Sequence, residues 1–110
     1  MAYDEVLADR LRVALQHQDG VEEKRMFGGL AFLVGGHMAV AVSGQGGLMV
    51  RCDPDHTAEL LEQPGAATLE MRGRAMTGWL RVDVDAISDE AHLQRWVDVG
   101  VGYVATLPPK

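Results

Sequence analysis

The sequence predicts a two-layer α+β domain, in which an antiparallel five-stranded sheet carries its helices on one face. Three observations support this fold class. Short apolar runs of strand length alternate with glycine pairs, segments of helical periodicity flank them, and an alternating hairpin lies before the last helix. The predicted order is α-β-β-β-α-β-β-α, in a single domain that spans residues 1–110.

The first predicted element is an amphipathic helix from about Asp4 to His17. Leucines recur along it at four-residue spacing, at Leu7, Leu11 and Leu15. This spacing gives a helix one apolar stripe that packs against a core. Gly20 is expected to end the helix, because glycine readily takes the left-handed conformation that closes helices. Residues 21–25 are predicted to be a connection that leads into the sheet.

The stretch from Lys24 to Cys52 predicts a meander of three strands. Glycine pairs separate its apolar runs, and glycine is common where a chain reverses within a few residues. The first run, Leu30 to Val34, is apolar at odd and even positions alike, so both faces of this strand are apolar. This indicates a strand that is covered on both faces. In the second strand, the larger side chains of Met38, Val40 and Val42 are predicted to share one face.

The second half of the chain predicts two helices and two strands. Asp53-Pro54 is typical of a helix start, so a helix is expected from Pro54 to Glu62. Ala67 to Arg72 and Trp79 to Asp83 alternate apolar and polar side chains, and we expect them to pair as a hairpin. Ser88 is predicted to cap the last helix.

Two glycines, Gly100 and Gly102, lie inside this last predicted helix. Each weakens a helix by about 1 kcal/mol relative to alanine. We interpret them as positions at which the helix approaches another backbone closely.

Composition is that of a globular domain, with 47% apolar and 24% charged residues. The single cysteine, Cys52, excludes an internal disulfide framework and is typical of a reducing compartment. The acidic N-terminus lacks the apolar segment of a secretion signal. The longest apolar runs are far shorter than the roughly 20 residues that span a bilayer. We therefore expect a cytoplasmic protein without membrane contacts.

The net charge of −6 argues against direct binding of nucleic acid, because neutralising phosphates requires clustered lysine and arginine. Between Ala66 and Val82, however, basic residues outnumber acidic ones, with three arginines against Glu70 alone. Arginine beside an aromatic residue is typical of interaction surfaces, and the alternative is a solvated face on which Glu70 pairs with the arginines. Strand alternation predicts a protein-interaction surface on the open face of the sheet, formed by Arg51, Arg72, Arg74, Trp79 and Arg81.

Only a sparse set of side chains suits a metal or a nucleophile. Cys52 and His56 are four residues apart, and His37 begins the neighbouring strand, so a metal site is conceivable at this junction. The spacings C-x-x-C and H-E-x-x-H do not occur, and scattered polar histidines are the alternative. Cys52 has no histidine fixed as its base, and Ser43 lacks the nucleophile elbow. We expect a structural thiol, no cofactor and no enzymatic activity.

The pentapeptide Arg25-Met26-Phe27-Gly28-Gly29 resembles the start of the sheet in the N-terminal domain family of the competence regulator TfoX, also called Sxy. The glycine-rich meander, the segment from Met76 to Val82 and the chain end at Leu107-Pro108-Pro109-Lys110 extend the resemblance over essentially the whole chain. It implies the same two-layer α+β fold and brings no catalytic residues. It also implies structural roles for the motif residues, which are Arg25, Met26, Phe27, Gly28, Gly29, Gly78 and Trp79.

The resemblance further implies a role in gene regulation. Full-length regulators of this family carry a second, helical domain and activate transcription alongside the cyclic AMP receptor protein. We therefore expect a non-enzymatic regulatory or protein-interaction module whose partner belongs to the transcription machinery. Two alternatives stay open: a small self-associating domain that forms a homodimer through its open sheet face, and a metal- or ligand-binding protein.

Overall fold

The computed structural model describes residues 3–26, 28–71 and 73–108. Within them lie three α-helices: α1 (Glu5–Ala14), α2 (Thr57–Leu60) and α3 (Glu90–Val104). The strands are β1 (Val21–Met26), β2 (Gly29–Val34), β3 (His37–Val42), β4 (Leu48–Arg51), β5 (Ala66–Met71) and β6 (Arg74–Val82). Short 3-10 turns at Pro54–His56 and Val84–Ile87 precede α2 and α3. None of the helices described here is long and apolar enough to cross a membrane.

The six strands form one antiparallel sheet in the order β1-β2-β3-β4-β6-β5. The α+β class and the antiparallel sheet are therefore confirmed, but the prediction of five strands was wrong. The missed strand is β1, which pairs with β2 from Val21 opposite Val34 to Met26 opposite Gly29. It carries four consecutive charged residues and no apolar alternation, so its strand conformation comes from pairing with its neighbour rather than from its own pattern.

Aspartates cap the start of α1 and of the 3-10 turn before α2. Asp4 accepts a hydrogen bond from the Leu7 N–H at 3.1 Å, and Asp53 accepts one from the Asp55 N–H at 2.9 Å, as is typical of N-caps. The predicted helix 54–62 is reduced to a 3-10 turn followed by the single turn of α2. The prediction for Ser88 was wrong, because Asp89 occupies the N-cap of α3.

A bulge in β3 changes which side chains share a face. Phe32 pairs with Val40 whereas Leu33 pairs with Met38, so Ala39 is an extra residue in β3. Met38 therefore faces the same side as Leu33 and the opposite side from Val40. The prediction that Met38 shares a face with Val40 and Val42 was wrong. Strict alternation assumes no extra residue, and the extra residue of the bulge moves Met38 to the other face.

The core lies between the sheet and helices α1 and α3. Its largest fully buried side chains are Phe32, Leu7, Leu11, Leu48, Leu80, Ile87 and Leu93. Helix α3 rests directly on β3, because a Cβ at Gly100 would lie 2.4 Å from the Ala39 carbonyl oxygen. The predicted close approach is thus confirmed at Gly100. At Gly102 a Cβ would meet no atom within 4 Å, so the prediction was wrong there.

A bidentate ion pair ties α1 to the edge strand β1. The Arg12 guanidinium donates to both carboxylate oxygens of Glu23, each at 2.8 Å. Glu23 points to the helix side of the sheet because it pairs with Phe32. The hydrogen bonds from Arg12 hold the pKa of the Glu23 carboxyl below its usual range.

This ion pair predicts a pH-dependent contribution to stability. A carboxyl whose pKa is lower in the folded state stabilises the fold above its unfolded pKa, and this contribution is lost as the pH falls through the folded value. We expect Glu23→Gln to lower the free energy of unfolding at neutral pH by at most about 1 kcal/mol, because both partners are about 40% exposed. Urea titrations should show this difference shrinking to zero in acid. Glu22→Gln, on the opposite face, is the control, and a difference for Glu23→Gln that stays constant with pH would contradict the assignment.

Candidate functional site: the concave face of the sheet

A cleft of about 430 Å³ lies on the sheet face opposite the helices and contains residues from all six strands. Met26 of β1 and Leu69 of β5 both line it, although these strands are the two edges of the sheet. In a flat sheet of six strands, the edges would lie about 24 Å apart. The sheet must therefore curl around this face, which makes it concave.

One cross-strand row forms the floor of the cleft. Its four members in the cleft are Ala31, Ala41, Met49 and Arg81, and Lys24 and Ala67 continue the row to the two edges of the sheet, outside the lining. The two central alanines are only 1% and 3% exposed, although the helices of the described residues pack on the other face of the sheet. Small side chains at the centre of a concave surface leave the space that larger ones would fill. The alanines at positions 31 and 41 thus create the depth of the cleft.

Three methionines, Met26, Met38 and Met49, line the cleft together with Leu69. Methionine is unbranched and polarizable, so it adapts its shape to different apolar partners. Met38 reaches this face only because of the bulge at Ala39. The cleft therefore combines an apolar lining with side chains that rearrange easily.

Arg81 provides a half-buried positive charge in this cleft. Its guanidinium donates to the carbonyl oxygens of Gln45 and Gly46, at 3.3 and 3.2 Å, in the turn between β3 and β4. Glu70 also lines the cleft, but within the described residues Arg81 makes no ion pair with a carboxylate. The fixed guanidinium keeps donor capacity for an anionic group in the cleft.

Arg51 and Trp79 form a second cluster beside the cleft. They are direct neighbours in the β4–β6 pairing. The guanidinium carbon of Arg51 lies 5.7 Å from the centroid of the Trp79 ring and 5.6 Å from that of Tyr103, in α3. Both distances are within the range of cation–π attraction. Strand alternation predicts that Arg51 and Trp79 are neighbours, but it gives no sign of Tyr103, which lies about 50 residues from Arg51 in the chain.

The predicted arginine surface is thus divided. Arg81 lines the cleft, whereas Arg51 and Trp79 lie outside its lining, and the Arg51 guanidinium lies over the ring of the helix residue Tyr103. Arg74 begins β6 and is exposed on the β5–β6 hairpin. Arg72 was part of the same prediction and lies outside the described residues, as does Phe27 of the pentapeptide motif.

The other motif residues have separate structural roles. Arg25 is exposed on β1, and Met26 lines the cleft. Gly28 has a φ of +78°, and Gly29 is packed so closely on β3 that a Cβ would lie 2.1 Å from the Val42 carbonyl oxygen. The motif therefore shapes both the β1–β2 hairpin and one wall of the cleft.

Gly78 serves a different part of the sheet. It is buried, has a φ of +83°, and accepts a hydrogen bond from the Cys52 N–H at 2.8 Å. This bond extends the β4–β6 pairing beyond Arg51 and Trp79.

The three proposed metal ligands are engaged elsewhere or exposed. The Cys52 thiol is fully buried, 3.5 Å from the Thr57 hydroxyl. His37 Nε2 lies 2.7 Å from the Pro108 carbonyl oxygen, so this nitrogen carries the proton and donates. His56 is exposed on the turn before α2. Across the described ranges, no three side chains from histidine, cysteine, aspartate and glutamate gather into a metal-binding group.

Comparison with known proteins identifies the family to which this chain belongs. None of the curated proteins compared with the chain matches it significantly. The family profile described as the TfoX N-terminal domain matches residues 13–102. This match includes the pentapeptide motif, every strand of the sheet and most of α3. Because it extends over most of the sequence, the chain belongs to the TfoX N-terminal domain family.

Proposed function

We propose that this domain is a non-enzymatic regulatory module that binds a protein of the transcription machinery through its concave sheet face. The cleft is the observation that carries the proposal, because it joins an apolar, methionine-rich lining to the half-buried cation of Arg81. Membership of the TfoX N-terminal domain family supports the link to transcription.

The chemistry of the cleft suits a protein better than a nucleic acid. Protein interfaces have apolar centres enriched in methionine, arginine and aromatic residues, and energetic hot spots are often arginine, tyrosine or tryptophan. The net charge of the chain is −6, which opposes approach to a phosphate backbone. The partner segment that fits is apolar, for contact with Met38 and Met49, and carries one carboxylate for Arg81. The Arg51–Trp79 cluster, in which Arg51 contacts Tyr103 of α3, lies outside this cleft.

The two side chains weighed as nucleophiles, Cys52 and Ser43, have structural roles, which supports a function without catalysis. Cys52 is buried against Thr57. The Ser43 hydroxyl accepts a hydrogen bond from the Gln45 N–H at 3.1 Å, within the β3–β4 turn. Both groups stabilise turns or helix starts next to the sheet.

A charge placed in the cleft should abolish partner binding. We expect Met38→Lys to lose a transcription factor or polymerase subunit that the wild type retains in affinity capture from native cytosol, because binding would bury the new ammonium group among methionines. Met38 is half-buried, so its long replacement can turn toward solvent in the free domain and leave the fold intact. Mass spectrometry of the retained proteins, beside a circular-dichroism check of the fold, provides the measurement.

Met76→Lys is the matched control, because Met76 lies on the exposed part of β6 outside the cleft. The proposal requires this variant to retain the same partner as the wild type. Equal loss in both variants, or retention in both, would contradict the assignment to the cleft. Strong and steeply salt-dependent binding to bare duplex DNA in a gel shift would contradict a protein-binding role.

A further inference from the structure

The two edges of the sheet differ in chemistry. Edge strand β1 exposes four consecutive charged residues, Glu22 to Arg25, and charges of this kind disfavour pairing of its free edge with a further strand. Edge strand β5 has exposed residues at Ala67, Thr68 and Glu70, of which only Glu70 is charged. Its outer edge is thus chemically open to a further strand.

The direction of the β5 backbone identifies the groups at this open edge. The Asp83 N–H donates to the Gly65 carbonyl at 3.0 Å, so Gly65 directs its backbone groups toward β6. Alternation along an antiparallel strand then directs the N–H and C=O of Thr68 away from β6. The Ala66 N–H points the same way but is already bonded to the Gln63 carbonyl at 3.1 Å.

The irregularity in this part of the sheet lies in β6 rather than in β5. Between the pairs Thr68–Leu80 and Glu70–Ala75, one residue of β5 faces four residues of β6. The extra residues therefore belong to β6, and β5 continues its alternation through Leu69. A regular strand of this kind can accept a new neighbour on its free side.

We propose that β5 pairs antiparallel with β5 of a second copy of this chain, around a two-fold axis at Thr68. In this register, Thr68 faces Thr68 of the second copy and exchanges both backbone hydrogen bonds with it. Ala67 faces Leu69 of the second copy, so a small side chain meets a large one. Ala66 faces Glu70 of the second copy, and the two Glu70 carboxylates stay well apart.

Neighbouring registers fit less well. Centring the pair on Glu70 brings two carboxylates directly opposite each other, which is destabilising. Centring it on Ala66 places Thr68 opposite Pro64, which has no N–H to donate. Centring it on Ala67 uses a residue whose backbone groups point toward β6. The register at Thr68 is therefore the favoured one.

The paired sheet would join the two concave faces. Ala67 pairs with Arg81 and Leu69 lines the cleft, so both point to the concave side. Across the two-fold axis, these side chains meet their counterparts at the boundary between the two clefts. The dimer thus presents two clefts on one continuous twelve-stranded surface. This inference rests on the edge strand and is independent of the proposed function.

Cross-linking of a Thr68→Cys variant tests the pairing. The native Cys52 is fully buried, so the new thiol is the accessible one. We expect a short bismaleimide to convert most of the Thr68→Cys protein into a covalent dimer at micromolar concentration. Lys24→Cys, on the opposite edge, should stay largely monomeric under the same conditions.

Sedimentation of the unmodified protein gives a second, independent measurement. We expect the wild type to sediment with twice the mass of the chain. Thr68→Cys should sediment in the same way before cross-linking. A wild type that is monomeric at high micromolar concentration would overturn the proposal. Equal cross-linking of Thr68→Cys and Lys24→Cys would also overturn it, because the contact would then not be specific to β5.

Discussion

Gly29→Ala is expected to lower the free energy of unfolding by about 3–4 kcal/mol, the largest effect of any single methyl group considered for this domain. A Cβ at position 29 would lie 2.1 Å from the Val42 carbonyl oxygen and 3.1 Å from the Gly44 nitrogen. Both atoms belong to the backbone, so no side-chain rotation relieves the clash. Strands β2 and β3 would have to separate next to the cleft.

The adjacent Gly28 offers a matched comparison. Its φ is +78°, and a Cβ there would meet no atom within 4 Å. Gly28→Ala should therefore cost only about 1–2 kcal/mol, the strain of a side chain in a left-handed conformation. Urea titration of both variants measures the difference. Equal costs would show that the glycine pair is required for the turn alone, and not for packing against β3.

Gly100→Ala is expected to have the second-largest effect, a loss of about 2–3 kcal/mol. The added Cβ would lie 2.4 Å from the Ala39 carbonyl oxygen and 3.1 Å from a methyl carbon of Val40. Helix α3 would have to move away from β3 as a unit. Interiors are close-packed, so this movement opens space between the helix and the core.

Gly102→Ala is the control in the same helix. A Cβ at this exposed position meets no atom within 4 Å, so the substitution should stabilise α3 by about 0.5–1 kcal/mol through helix propensity. Thermal melts should show a decrease in Tm for Gly100→Ala and an increase for Gly102→Ala. A decrease in Tm of similar size in both variants would contradict this account. The close contact between Gly100 and Ala39 would then not be the cause of the destabilisation.

Much of the fold could be predicted because local signals agree with tertiary packing. The leucine stripe of α1 and the aspartate cap at Asp53 depend on residues close in sequence. The glycine-separated strands β2, β3 and β4 depend on apolar runs that are buried on the helix side. Where local preference and burial point to the same structure, sequence patterns are reliable.

The errors arise where a distant partner decides the structure. Strand β1 has the composition of an exposed loop, and it becomes a strand through pairing with β2 and through the Arg12–Glu23 ion pair. The bulge at Ala39 depends on how β2 and β3 align. No periodicity within β3 alone reveals that Met38 has changed face.

The candidate site could be predicted only in part for the same reason. Alternation correctly placed Arg51 beside Trp79 and put Arg81 on the face away from the helices. The cleft itself requires the curl of the whole sheet, which brings Met26 and Leu69 from opposite edges to one surface. Curvature is a property of six paired strands, so it has no signature in any single segment.

The most direct measurement of the role of the concave face is the dissociation constant for the purified partner obtained by affinity capture. Isothermal titration of the wild type, Met38→Lys and Met76→Lys with that partner compares a charge inside the cleft with the same charge outside it. We predict that Met38→Lys weakens binding at least about tenfold, equivalent to about 1.4 kcal/mol, while Met76→Lys binds like the wild type. Equal affinities for all three proteins would contradict the concave face as the binding surface.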